Sequence, residues 1–423
     1  MKRLFALSAL LVVLCGVASA QTAEELRAID PLYAYEFYRP YPLEQIGSLS
    51  RPPKGYEPFY ISHLGRHGSR YHSVQSLYDV TLDLLRRASE ADELTPTGRR
   101  FLADWQLVAE AAKGRIGELS PLGIEQQVGI TRRMVEAYPE IFNKRRCRID
   151  CRSTVAPRCI LSMTAASNTL SAMLPKAEIR VEASEANTYL KSYASLNSVK
   201  MTSIPFSDSL RRANMPAAEP FIARLFKADS KVAESIADTN DFMYNTFLAT
   251  AVLGSTPMPE VQSLDYIFTE EERAAVWRAS NIRRYALTGP SAKYHKAILN
   301  VVALLLDNII ETADRAIATG DEQATLRYAH DVTVISLTAA LGIKCGNVVT
   351  DDYARVSYDW QCSTVTPMGA NIQIVFYRNR KGDVLVKVLH NEREQLLDPA
   401  VGKPVEGVYY RWEDMKGYLK SIL

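Results

Sequence analysis

Apolar residues recur along the chain with two periods, and each predicts a different element. Between Gln75 and Ala91, Leu77, Val80, Leu84 and Ala88 fall at helical spacing. Thr95-Pro96-Thr97-Gly98 interrupts the pattern, and Phe101, Trp105, Val108 and Ala112 resume it. Ser120 before Pro121 supplies a cap and a first-turn proline for another helix. Its expected face is Ile124, Val128, Thr131, Val135 and Tyr138, and Pro139 ends it. Short apolar runs predict strands at Phe59 to Leu64, at Ile179 and Val181, and at Thr325 to Ala329. Ile372, Ile374 and Phe376 alternate, and Asn379 to Asp383 turns the chain into Val384 to Leu389, a hairpin pattern. From Ala186 to Ala292 the chain is polar, with Pro205, Pro216, Pro220, Pro257 and Pro259 expected to separate helices. The class is therefore α/β, with a helical insertion beside the sheet.

The first twenty residues follow another logic. Lys2 and Arg3 precede an apolar run from Leu4 to Val17, then the small residues Ala18-Ser19-Ala20. This is the layout of a secretory signal peptide (residues 1–20), which predicts a periplasmic or extracellular protein. No later run is long enough to span a membrane, since Val301 to Leu306 stops at Asp307. Composition is ordinary and globular, with 47% hydrophobic and 23% charged residues. Lys and Arg total 50 against 48 acids, and removing Lys2 and Arg3 leaves 48 against 48. Such a chain lacks the broad positive field that nucleic acid selects, so that partner is disfavoured, and an anionic ligand needs a local cluster. Beyond the leader stand Cys147, Cys151, Cys159, Cys345 and Cys362. An odd count is no disulfide framework; Cys345 and Cys362 are the candidate pair. The first three suit no compact zinc finger.

Arg66-His67-Gly68-Ser69-Arg70 leaves the first predicted strand at its carboxyl end, where open α/β sheets bind ligands. Two guanidinium forks suit a phosphate dianion, and they disfavour a protonated His67, leaving a nucleophilic imidazole. Gly68 permits close backbone approach. Alone, the segment equally fits an exposed basic loop around a packed histidine. His330-Asp331 also follows a strand and opens a helix, whose N-terminus favours phosphate. Singly, Asp331 reads as a helix cap. Together the two loops supply a nucleophile, phosphate donors and an acid.

These residues resemble the histidine acid phosphatases, the larger branch of the histidine phosphatase superfamily, which includes phytases and multiple inositol-polyphosphate phosphatases. The family's Arg-His-Gly-x-Arg-x-Pro motif is matched by Arg66, His67, Gly68 and Arg70, with His72 in place of the proline. His330-Asp331 matches the late motif, Leu119 to Gln126 resembles an intervening helix start, and Arg158 resembles the third pocket arginine. The resemblance runs from about residue 55 to His390-Asn391-Glu392. It implies a mixed, mostly parallel sheet flanked by helices, with 21–72, 113–185 and 293–423 forming the catalytic body. Segments 73–112 and 186–292 are then helical caps.

The implied chemistry is double displacement on a small phosphorylated substrate. His67 attacks phosphorus, Arg66, Arg70, Arg158 and His330 hold the phosphoryl oxygens, and Asp331 protonates the leaving group. The resemblance implies no cofactor and no metal. Tyr71 and Arg158-Cys159 resemble the inositol-polyphosphate group, which usually carries His-Ala-Glu where this chain has His330-Asp331-Val332. That departure leaves a general acid phosphatase or glucose-1-phosphatase as the alternative. Lys191, Lys200, Arg211 and Arg212 are candidate secondary phosphate contacts, and equally fit a solvated helix surface. A metallohydrolase built on His63, His67 and His72 is a rival with unfavourable spacing. A non-catalytic phospho-ligand binding protein is another, and a phosphoglycerate mutase-like transferase a third. Oligomeric state is not encoded in any of these patterns.

Overall fold

A computed structural model describes residues 22–44, 47–190 and 193–422, so the expected signal peptide and Lys191 lie outside the described residues. The sheet contains β1 (Glu57–Arg66), β2 (Arg148–Ser153), β3 (Glu178–Ala183), β4 (Ala324–Ala329), β5 (Asn371–Arg378), β6 (Val384–His390), β7 (Arg393–Glu394) and β8 (Tyr409–Arg411). Their order is β3-β2-β4-β1-β5-β6-β7, with β8 also paired to β6. β3, β2, β4 and β1 run parallel, whereas β5 onward is antiparallel. Both predicted loops leave the adjacent central strands β1 and β4, which run in register from Ile61 opposite Ala324 to Arg66 opposite Ala329. They emerge side by side.

Alternation assigns each strand residue to a face. Ile372, Ile374 and Phe376 pack with Leu305, Leu306, Ile309, Leu337 and Trp412. Val375 and Tyr377 pack on the opposite side, with Met134, Val135, Met163 and Leu170. Helices Ala303–Thr319, Asp331–Ala340 and Trp412–Ser421 thus cover one face, and Pro121–Ala137 and Pro157–Met173 the other. Ser120 caps the Pro121–Ala137 helix by accepting from the Gly123 amide, as its sequence predicts. Helices Ser76–Glu90, Pro96–Ala111, Glu219–Leu225, Thr239–Thr250 and Glu270–Thr288 share a separate core with Tyr33 and Tyr38.

Several expectations need correction. Val80 is exposed, and the Ser76–Glu90 helix instead buries Tyr78, Leu82, Leu85 and Ala88. Tyr78 stacks on Trp105 with centroids 5.7 Å apart, and an aromatic ring of that area outweighs a valine in setting the buried face. Pro205 does not separate helices, because Tyr193–Asn214 runs through it. The residue is exposed, and there the backbone bond its ring removes costs least. Cys345 and Cys362 are unpaired, as are Cys147, Cys151 and Cys159. Cys345 meets His390 Nδ1 at 3.5 Å instead. No helix among the described residues is long and apolar enough to cross a membrane.

Candidate active site

The end of β1 delivers His67 against β4. Its amide donates to the Ala329 carbonyl at 3.1 Å, and its ring lies 5.8 Å from that of His330, centroid to centroid. His67 Nδ1 faces the Gly68 carbonyl at 2.9 Å. A carbonyl only accepts, so the proton sits on Nδ1 and Nε2 keeps its lone pair. Burial holds the pKa of this imidazole well below its usual value, and Arg66, Arg70, Arg158 and His330 push it lower still. The arginines have the effect expected from their spacing, with desolvation the larger cause. A neutral imidazole with its lone pair on Nε2 results.

Arg66 is fully buried, and Nη1 donates to the carbonyls of Phe37 and Thr366 at 2.8 and 2.5 Å. Arg70 Nη1 donates to the Tyr71 carbonyl at 2.8 Å and to Tyr38 Oη at 3.3 Å. Arg158 Nη2 lies 3.4 Å from His330 Nδ1. The Nε atoms of Arg66, Arg70 and Arg158 are buried and have no partner among the described residues. Three guanidinium groups anchored at one end thus keep donor capacity in one place, the arrangement that an oxyanion needs. Burial also lowers the His330 pKa to about 4, an effect that Arg158 reinforces and Asp331 opposes.

Asp331 opens its helix directly after His330, and its Oδ2 lies 3.4 Å from Arg284 Nη1. Burial pushes the carboxyl upward, but Arg284, Arg66, His330 and Arg70 outweigh it and hold it below the usual carboxylate range. Arg284 was not foreseen. It comes from the C-terminal half of Glu270–Thr288, and nothing in its local sequence separates it from a surface arginine.

Gly68 permits a close backbone approach, as its sequence position predicts, and the neighbour is Gly123. A Cβ there would stand 2.4 Å from the Gly123 carbonyl, and one on Gly123 would stand 2.2 Å from the Ser69 carbonyl. The close approach is between the loop and the Pro121–Ala137 helix. Gln126 and Gln127 bind the same loop: Gln126 Oε1 accepts from the Ser69 amide at 2.8 Å, and Gln127 Nε2 donates to the Arg66 carbonyl at 3.1 Å. This helix therefore turns glutamines inward while Ile124, on its expected apolar face, is exposed.

The segment Tyr33–Tyr41 forms another wall that the sequence motifs missed. Phe37 lies beneath Arg66 and Arg284, with guanidinium-to-ring distances of 5.8 and 4.3 Å. Five aromatics in nine residues were the available signal of burial. Glu36 holds a left-handed φ of 51°, and its Oε1 accepts from Ser280 Oγ.

Of the metallohydrolase set, His63 packs against Tyr328, and burial together with Arg327 takes its pKa down to about 3. His72 is bound to Tyr38 and Ala249, and no metal-ligand cluster occurs among the described residues. Within the basic cluster, Arg211 and Arg212 are not free. Arg211 is buried over Tyr244 and paired to Asp241, while Arg212 pairs with Asp238 and Asp241. Those acids begin the Thr239–Thr250 helix, far along the chain. Lys200 lies on Tyr193–Asn214.

The histidine phosphatase superfamily (branch 2) profile matches residues 61–391, so the chain belongs to this family and is a phosphomonoester hydrolase. Among solved structures, it is similar to the apo form of the Bifidobacterium longum multiple inositol polyphosphate phosphatase. The TM-score is 0.75 at 17% identity, over 92% of this chain and 97% of that one. The phytase from D. castellii follows with 0.68 at 15% identity, over 92% and 85%. Hafnia alvei phytase gives 0.55 at 12% identity, over 88% and 98%. At these identities the likeness establishes the fold. No curated protein sequence matches the chain.

Proposed function

We propose that the protein is an exported phosphatase that hydrolyses inositol polyphosphates through a phosphohistidine on His67. One observation carries the mechanism: the Nδ1–H of His67 is committed to the Gly68 carbonyl, leaving Nε2 nucleophilic beside three arginines. Nε2 forms the N–P bond as the P–O ester bond breaks. Arg66, Arg70, Arg158 and His330 hold the phosphoryl oxygens, where negative charge must be balanced. Asp331 gives its proton to the departing alkoxide, then takes one from the water that attacks phosphorus and releases His67. Val332 carries no acid, so Asp331 alone can fill this role on that loop.

Fold likeness to an inositol polyphosphate phosphatase and to phytases supports the substrate class, as does Arg284, a further cation beside the candidate acid. A phosphate bound away from the reaction centre orients the ester for attack. Asp331 in place of the usual glutamate favours a second reading, a general acid phosphatase or glucose-1-phosphatase.

The deciding experiment has two arms. Alkaline quenching during turnover, followed by peptide mapping, should place an acid-labile phosphoryl group on His67, and His67→Ala should abolish release in a folded protein. Comparison of kcat/KM for phytate, glucose 1-phosphate and an aryl phosphate then assigns the class. If a simple monoester is preferred throughout, the second reading replaces the first.

A further inference from the structure

We propose that His72 is a positioning residue that fixes Arg70 through the hydroxyl of Tyr38. The inference rests on Arg70 being a phosphate ligand, as set out above. His72 Nε2 lies 2.8 Å from the Ala249 carbonyl, and Nδ1 lies 2.7 Å from Tyr38 Oη. The carbonyl can only accept, so Nε2 carries the proton and Nδ1 accepts. Tyr38 must therefore give its own proton to His72. Its oxygen is then left as an acceptor, and Arg70 Nη1 reaches it at 3.3 Å. Each bond in the chain from Arg70 to Tyr38, His72 and Ala249 has one allowed direction.

The imidazole is itself held. It is fully buried, and its ring packs edge-on against Tyr38 and Tyr78, with centroids 4.8 and 5.0 Å away. The His72 amide donates to Tyr78 Oη at 3.1 Å, and Trp105 Nε1 donates to the Tyr78 carbonyl at 3.1 Å. Burial keeps the imidazole neutral, with a pKa down to about 3, so the acceptor persists in mildly acidic solution. The Arg70 guanidinium lies 5.1 Å from the Tyr38 ring centroid, so the same tyrosine supports it through its π-face. These contacts pin one edge of the guanidinium and leave Nε without a partner among the described residues. The relay starts from helical-lobe backbone and ends on the catalytic loop.

The two imidazole nitrogens can be tested separately. Asn places its oxygen near Nδ1, whereas Gln places its amide nitrogen near Nε2. His72→Asn should keep the acceptor for Tyr38 and stay within about threefold of the parent protein. His72→Gln and Tyr38→Phe should each weaken competitive inhibition by inorganic phosphate by about tenfold, the scale of one charge-assisted hydrogen bond. Melting curves identify any variant that fails to fold, and Tyr38→Phe then carries the test in place of His72→Gln. In an Arg70→Ala background, neither substitution should add to the loss. Equal effects of Asn and Gln, or losses that add to that of Arg70→Ala, overturn the relay while leaving the phosphatase reading intact. If Arg70→Ala alone leaves phosphate inhibition unchanged, Arg70 is not a ligand, and the premise falls together with the relay.

Discussion

At the residue scale, Asp331 presents a conflict between charge and role. Arg284, Arg66, His330 and Arg70 hold its carboxyl ionised against the effect of burial, yet a general acid needs a proton. A bound phosphoryl dianion resolves the conflict by cancelling the arginine charge, which raises the carboxyl pKa. Phosphate binding should then be coupled to proton uptake by Asp331. Calorimetry of inorganic phosphate binding near pH 5, in buffers of different ionisation enthalpy, should show more uptake by the parent than by Asp331→Asn. Identical uptake in the two proteins rules the coupling out. Arg284→Gln removes a charge that lowers the carboxyl pKa, so that pKa rises. Activity requiring the protonated acid is lost as pH increases through it, so the basic limb of kcat on an alkyl phosphate should move to higher pH. An unchanged limb would mean that Arg284 does not act on the acid. Asp331→Asn should slow alkyl phosphates by about 10²–10⁴-fold and aryl phosphates far less, because an aryl oxide leaves without a proton. Equal losses would reduce Asp331 to a structural role.

At the element scale, the loop that carries His67, the proposed nucleophile, is held by a helix packed backbone to backbone. Gly123→Ala would drive a methyl to 2.2 Å from the Ser69 carbonyl, and only a shift of loop or helix relieves it. Overpacking of this kind costs about 1–3 kcal/mol. Gly98→Ala is the matched control, with a Cβ 2.1 Å from the Leu225 carbonyl in the helical lobe. Both variants should unfold at lower denaturant concentration, but only Gly123→Ala should lose kcat/KM, by at least about tenfold for a displaced reacting group. Parallel loss of activity in Gly98→Ala would show that stability, not loop placement, governs turnover. This helix also shows what was legible. Its start could be read, because Ser120, Pro121 and Gly123 act locally. Its buried face could not, because Gln126 and Gln127 point inward to a loop some sixty residues earlier. The strands ending at Arg66 and Ala329 were readable for the same local reason. Arg284, Phe37 and Tyr38 reach the site through tertiary packing alone. Asp238 and Asp241 neutralise Arg211 and Arg212 from another helix, a pairing that a one-dimensional charge cluster conceals.

At the scale of the whole molecule, every histidine in the sequence shares one property. All six have lowered pKa values: His63, His67, His72, His295, His330 and His390. Burial is the largest cause in each, and it takes the pKa down to about 3 for His63 and His72 and about 4 for His330 and His390. They are distributed over β1, the loops that follow β1 and β4, the helix His295–Asn300 and β6, so their neutrality is a property of the packed molecule. In the unfolded chain a histidine titrates near 6.5. Between that value and the folded pKa, the unfolded state binds more protons, so stability rises with pH and is lost on acidification. Each proton contributes a slope of about 1.4 kcal/mol per pH unit. Urea unfolding at pH 7.5, 6, 5 and 4 should therefore show little change above neutrality and a progressive fall below about 6.5. The slope should correspond to several protons taken up on unfolding. His63→Gln isolates one of them, because His63 Nδ1 is buried without a partner among the described residues and the residue has no proposed catalytic role. Whatever its effect on absolute stability, it should flatten the slope between pH 6 and 4 by about one proton. A pH-independent unfolding free energy from 7.5 to 4 would show that these side chains are charged, or solvated, in the folded protein. The same result would remove the neutral His67 on which the proposed phosphoryl transfer depends.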